Sequence, residues 1–347
     1  MKKVLKLVLI VALAVLTAIS MVACVDNGGS NSSKKGVSGS VVSGNIFEIR
    51  KYYAKEGETE LVISKEALNL TDNVEKIRIK SNAFASNSTL TKITVSADVF
   101  EISQGAFAKM TALESLELPF VGRYFNSDAF LTGGQAVEKA VDAERTIAHL
   151  FGEDEYDKGS QITVKYGTES KTVYVPETLS SVVINNTTTK EYNIPMYAFN
   201  GVTKLTNIEL KGNIEGIGEF AFENVANINT LTLPATVKNI YKGAFKGARI
   251  QNILLDANAT GVKIYADAFA NMPLLNYFGK AVQTIPAYTI DFNGVDIATL
   301  SLNAFNLSAA KISAGANANE YSLETPTFNY SIVNFNGDVK RVFGVEI

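Results

Sequence analysis

The sequence predicts a β-rich repeat solenoid, and three observations carry that prediction. The dipeptide Ala-Phe stands at Ala83, Ala106 and Ala129, and again at Ala198, Ala221, Ala244 and Ala268. Within each run the step is 23 residues, with one step of 24 before Ala268. Apolar residues fall at fixed offsets from each of these alanines, and the period is broken only between Ala129 and Ala198. Self-similarity at a period of about 20–50 residues marks a stacked array in which each unit buries its apolar face against its neighbours.

At the N-terminus, Lys2, Lys3 and Lys6 precede a mostly apolar stretch from Leu7 to Ile19, the layout of an export signal. The stretch ends in Met21-Val22-Ala23-Cys24, which resembles the lipobox of bacterial prolipoproteins, with Met where Leu is usual. Residues 1–23 are therefore expected to be a cleaved signal peptide and Cys24 a lipidation site. An uncleaved membrane anchor over 4–23 is the other reading. Cys24 is the only cysteine, so once acylated it leaves no thiol for a disulfide, a zinc site or a nucleophile. Residues 24–45, rich in Gly, Ser and Asn, read as a flexible lipid-anchored linker with a reach of about 25 Å.

Residues 46–80 read as an N-terminal cap, ending in Val74-x-x-Ile77-x-Ile79. Repeats follow over 81–130. With each Ala as position zero, the apolar offsets are +7, +10, +12, +16 and +19. Leu90, Ile93, Val95, Val99 and Ile102 fill them in one unit, and Leu205, Ile208, Leu210, Ile214 and Ile217 in another. The first half reads L-x-x-L-x-L, the strand signature of a leucine-rich repeat, with alternate side chains on one face. The second half is too short for an amphipathic helix and predicts a second extended segment or a 3₁₀ turn. The phenylalanines at +1, namely Phe84, Phe107, Phe130, Phe199, Phe222, Phe245 and Phe269, predict a buried spine along the solenoid axis.

Residues 131–178 lack the offsets and read as an insertion. Ala136, Val137, Ala140, Val141, Ile147, Ala148 and Phe151 are spaced for a helix over 135–150, and two short strands are expected over 161–166 and 171–175. Repeats resume over 179–305, where Ile297-x-x-Leu300-x-Leu302 and Ala304-Phe305 form a last partial echo. Residues 306–347 read as a β-rich C-terminal cap, with Asn336-Gly337 as a hairpin turn.

The residue types of catalysis are sparse. His149 is the single histidine and sits in an apolar context that favours a packed role over a general base. Glu153, Asp154, Glu155 and Asp157 cluster without the spacing of a calcium loop, so no metal and no cofactor is expected. The net charge of −3 becomes −6 once Lys2, Lys3 and Lys6 are removed. No run of basic residues interleaved with aromatics is present, which speaks against nucleic acid. The outward positions of the first strand are Lys92 and Thr94, Ser115 and Glu117, Asn207 and Glu209, Thr230 and Thr232. They are short, polar and mixed in sign, and suit a wet protein contact. Tyr156 and Tyr166 in the insertion are a second candidate contact region.

The run Leu113-Glu114-Ser115-Leu116-Glu117-Leu118-Pro119 and the repeating A-F-x-x-x-x-x-L-x-x-I-x-L-P resemble the BspA-like leucine-rich repeat proteins of bacterial surfaces. That resemblance implies a cell-surface protein that binds other macromolecules, often in adhesion or host contact, and no catalytic activity. Together with the export signal and lipobox, the expectation is an outward-facing lipoprotein that binds a protein of a host matrix or a neighbouring cell. The alternative is a module that binds glycan or cell wall. Membrane contact is expected through the N-terminal lipid alone.

Overall fold

The computed structural model describes residues 24–25, 35–125, 143–166, 169–307 and 311–345. The chain winds into stacked coils whose strands line up in two parallel ladders. The first ladder comprises Glu60–Ile63, Lys92–Val95, Ser115–Leu118, Ser181–Asn186 and Asn207–Gly212. A second sheet continues it through Ile228–Leu233, Ile250–Leu255, Tyr277–Lys280 and Thr289–Asp291. In each such strand the L-x-x-L-x-L alternation is realised directly: Ile93 and Val95, Leu116 and Leu118, and Ile208 and Leu210 are buried. In most units the second half is extended, one of the two forms expected. It forms Lys76–Ile79 and Val99–Ile102 in one group, and Tyr192–Ile194, Ile214–Ile217, Asn239–Ile240 and Lys263–Ile264 in another.

Six Ala-Phe pairs among the described residues sit in a tight turn between two left-handed residues. The residue before the alanine has positive φ at Asn82, Gly105, Tyr197, Phe220, Gly243, Asp267 and Asn303. The residue three after the alanine does so at Ser86, Lys109, Gly201, Asn224, Gly247 and Asn271. This reversal aims the Phe ring inward and its N–H along the axis. Phe84, Phe199, Phe222, Phe245 and Phe269 each donate to the alanine carbonyl of the next coil at 2.7–2.9 Å. The rings of Phe199, Phe222, Phe245 and Phe269 stack at 5.1–5.3 Å with interplanar angles of 11–13°. Phe305 extends the stack at 4.6 Å, and Tyr52 begins it at 5.6 Å from Phe84. The spine is thus core.

The insertion interrupts the sequence without interrupting the stack. Ser115–Leu118 pairs directly with Ser181–Asn186, Ser115 opposite Ser181 and Leu118 opposite Ile184. Phe130 lies outside the described residues. Between Phe107 and Phe199 the stack includes Ile147, Ala148, Leu150 and Phe151, all buried. Gly105 and Phe107 donate to the carbonyls of His149 and Leu150, and Ile147 donates to Ala198 O at 2.8 Å. Part of the segment assigned wholly to an insertion is therefore a core layer.

Three expectations need correction. The linker does not reach residue 45: Gly36–Val42 pairs antiparallel with Ile46–Tyr53, and Cys24–Val25 lies parallel to Ser38–Gly39. Gly39 is there for close packing, since a Cβ would collide with Glu48 O and the Phe47 ring. Over 143–150 the expected helix is two 3₁₀ turns, Ala143–Arg145 and Ile147–Leu150, divided by an extended Thr146 (φ −96°, ψ 158°). The preceding part of that helix lies outside the described residues. Finally, Asn336-Gly337 joins no strand pair. Asn329–Val333 already has Thr289–Asp291 on one side and Tyr321–Glu324 on the other. The chain instead forms a short helix, Val339–Phe343, capped by the Asp338 side chain accepting from Arg341 N and ended by left-handed Gly344. Phe343 closes the spine 5.9 Å from Phe305. The rest of the cap is the expected β-structure, with Lys311–Ala314 antiparallel to Tyr321–Glu324.

Candidate functional site

The outward face of the first ladder, and of the sheet that continues it, is assembled by strand register. Lys92 stands opposite Ser115, Thr94 opposite Glu117, and Thr230 opposite Asn252. Ser115 and Asn207 flank Ser181, while Glu117 and Glu209 flank Val183. The structure thus brings all eight sequence-predicted positions of the repeats to one side of the ladder, where they alternate with buried core residues. Because every strand adds its pair at the ~4.8 Å spacing of neighbouring strands, the face is a grid whose composition changes coil by coil.

Hydrogen bonds between coils hold the grid. Asn185 Nδ2 donates to Glu117 Oε1 at 2.8 Å, and Asn207 Nδ2 to Ser181 Oγ at 3.0 Å. Lys92 pairs with Glu60 of a neighbouring coil at 3.3 Å, whereas Lys211 pairs with Glu209 on its own strand at 2.5 Å. The bonds from Lys211 and Asn207 hold the Glu209 carboxyl below its ordinary pKa. Further along, Asn276 donates to Asn252 Oδ1 at 2.9 Å, and Asn276 Oδ1 accepts from Tyr288 N. Ser181, Val183, Asn185, Asn252 and Asn276 belong to the same face and were not singled out from sequence. Leu179, Val182 and Ile184 keep the strand spacing, so Ser181 and Val183 could have been read from it.

The insertion residues take a different place. Gly159–Tyr166 and Glu169–Pro176 form the expected antiparallel hairpin, closed through Gly152 opposite Tyr174. Tyr156 folds back over Gly159, where a Cβ would lie 2.7 Å from its ring. Its hydroxyl is buried without a hydrogen-bond partner among the described residues, and burial pushes its pKa up. Tyr166 ends the first hairpin strand, apart from the ladder face.

His149 is 5% exposed, with Nε2 3.2 Å from Ile102 O. Burial holds its pKa down to about 4, so the ring is a neutral packing element at pH 7. Two acids of the cluster beside it are paired: Glu153 with Lys171 and the amide of Gln104, each at 2.6 Å, and Asp154 with Lys109 at 3.4 Å.

A family profile for the BspA type leucine rich repeat region matches six copies, over residues 62–136 and 170–295, more than half of the chain. The crystal structure of the pneumococcal vaccine antigen PcpA is similar at 14% identity, over 77% of this chain and 97% of that one, with a TM-score of 0.25. No curated protein matches.

Proposed function

The chain belongs to the BspA-type leucine-rich repeat family, and we propose that it is a cell-surface lipoprotein whose ladder face binds a protein partner without catalysing a reaction. The single observation that supports the reading is the bonded polar grid of the first ladder. It is ordered, because several of its side chains, Asn185, Asn207 and Lys92 among them, are bonded to a neighbouring coil. It is also variable, because the outward residues are free of the packing constraint that fixes their neighbours. A pre-ordered polar face loses little side-chain entropy on association and suits a wet interface. The lipid would sit on Cys24, holding the solenoid at the membrane surface.

Cells expressing the chain are expected to adhere to a protein-coated surface or to neighbouring cells. The substitutions Glu117→Lys, Glu209→Lys and Thr232→Lys together should abolish that adhesion while leaving thermal unfolding unchanged. Adhesion that is untouched by the triple variant overturns the assignment of the face. Metabolic labelling with palmitate, lost in Cys24→Ser, tests the anchor separately.

A further inference from the structure

The second ladder, unlike the first, is not continuous across the insertion. Among the described residues, no further parallel strand follows Val99–Ile102 in that sheet. The chain turns back, so that Glu101 pairs antiparallel with Tyr124 and Ile102 N donates to Arg123 O at 2.7 Å. At Tyr192, where the parallel ladder resumes, the hydroxyl accepts from Val121 N at 2.7 Å, and the ring lies tilted 5.1 Å from Phe125. Between the two edges lies a groove of about 390 Å³, walled by Phe100, Pro119, Tyr124 and Phe125, with Lys76 and Lys190 on its rim.

Phe100 is in the groove because of a β-bulge. Val99 pairs with Ile77 and Glu101 with Arg78, which leaves Phe100 as the extra residue. Bulges re-aim side chains, and here the ring receives Lys76 Nζ at 5.5 Å and the Arg78 guanidinium at 5.2 Å. Arg123 stands 5.5 Å over the ring of Tyr124, which is 40% exposed. The arginines are neutralised: Glu101 binds Arg78 at 2.6 Å and Arg123 at 3.0 Å, while Glu48 and Glu144 take their remaining donors. The two lysines are not. Both are exposed, and among the described residues neither has a carboxylate partner and no acid lines the groove. On a chain of net charge −3, that is a local positive excess over an aromatic floor.

We propose that this groove binds an extended peptide segment of a protein partner that presents a carboxylate beside an aromatic or aliphatic side chain. The proposal rests on the protein-binding reading above and adds a second contact, on a different face. The apolar side chain would lie on Phe100, Tyr124 and Phe125, and the carboxylate would bridge Lys76 and Lys190. The volume holds two to three side chains, which fits a short linear segment better than a folded surface. Charge complementarity also makes the contact sensitive to salt.

Random heptapeptides displayed on phage, selected against the full chain, provide the test. Enriched peptides should place Asp or Glu within two residues of Phe, Tyr or Leu. Binding of the synthesised consensus should fall at least tenfold in the Lys76→Glu, Lys190→Glu double variant and in Tyr124→Ala. It should not change in Glu209→Lys, and all variants should melt with the parent. Basic or uncharged consensus sequences, no enrichment at all, or binding indifferent to the groove variants would each overturn the proposal. So would hexagalacturonate binding in the groove in preference to the peptides, which would make the ligand an anionic glycan. Adhesion lost in the ladder-face variant but peptide binding absent sinks the groove alone. Peptide binding with adhesion untouched by that variant sinks the ladder-face reading alone.

Discussion

The run from Ala198 to Phe305 and the junction from Gly105 to Phe199 follow different rules. In the run, coil follows coil with rings 4.6–5.3 Å apart, and each Phe N–H meets the next alanine carbonyl. At the junction the same layer is supplied by Ile147–Leu150, a 3₁₀ turn carrying a buried histidine, and the second ladder opens into a groove. The run shows what stacking requires when nothing else is asked of it. The junction shows how a solenoid can hold its core while releasing one face. In this protein regularity reports architecture, and the departures from it create chemistry.

The contrast can be attacked first at the spine. Phe222→Ala, in the centre of the run, removes a fully buried ring stacked on both sides and should cost about 3–5 kcal/mol in chemical unfolding. A loss under about 1 kcal/mol would mean the rings are not what holds the coils. The junction should differ in its response to acid. His149 has a folded pKa of about 4 against an ordinary value near 6.5, so the unfolded chain takes up the proton first. Its contribution is complete above about pH 6.5 and is lost as pH falls toward 4, amounting to up to about 3 kcal/mol. Unfolding curves of His149→Gln should lack that part of the pH dependence, while curves of Phe222→Ala should retain it.

Two smaller effects sharpen the comparison. Gly243 is left-handed (φ 61°) and a Cβ there would strike the Phe220 ring, whereas Gly261 (φ 66°) has nothing within 4 Å. Both alanine variants carry the backbone strain of about 1 kcal/mol, but Gly243→Ala should cost about 1–2 kcal/mol more. Glu101 ties Arg78 to Arg123 across the edge where the second ladder breaks. Glu101→Gln should cost about 1–2 kcal/mol by urea titration, and Thr232→Lys on the ladder face less than about 0.5 kcal/mol.

Much of this was legible in the sequence, for a physical reason. The offsets of Leu, Ile and Val report burial, which repeats in each coil because the coils share one core. The turn was less legible. Its left-handed site is occupied by Asn82, Gly105, Tyr197, Phe220 and Asp267 alike, because stacking imposes the conformation on residues that do not prefer it. Gly36–Val42 read as linker because glycine signals both freedom and close approach, and only the packing of Gly39 against Phe47 decides which. Ile147, Ala148 and Phe151 read as a helix face because apolar spacing cannot distinguish a helix from a 3₁₀ turn inserted into a stack. The ladder face followed from strand alternation. The groove did not, since Lys76, Phe100, Tyr124 and Lys190 meet only after the chain has left the array and returned.

The central claim is that the array is one cooperative stack with Ile147–Leu150 as an internal layer. Native-state hydrogen exchange, resolved at the amides of Phe107, Ile147, Phe199 and Phe222, tests it most directly. Those four N–H groups bond to Leu150, Ala198, Ala221 and Ala244 in successive layers. The account predicts that all four exchange only through a common opening, with equal free energies. Fast exchange at Phe107 and Ile147 beside slow exchange at Phe199 and Phe222 would contradict it, and would make the junction a hinge between two separate solenoids.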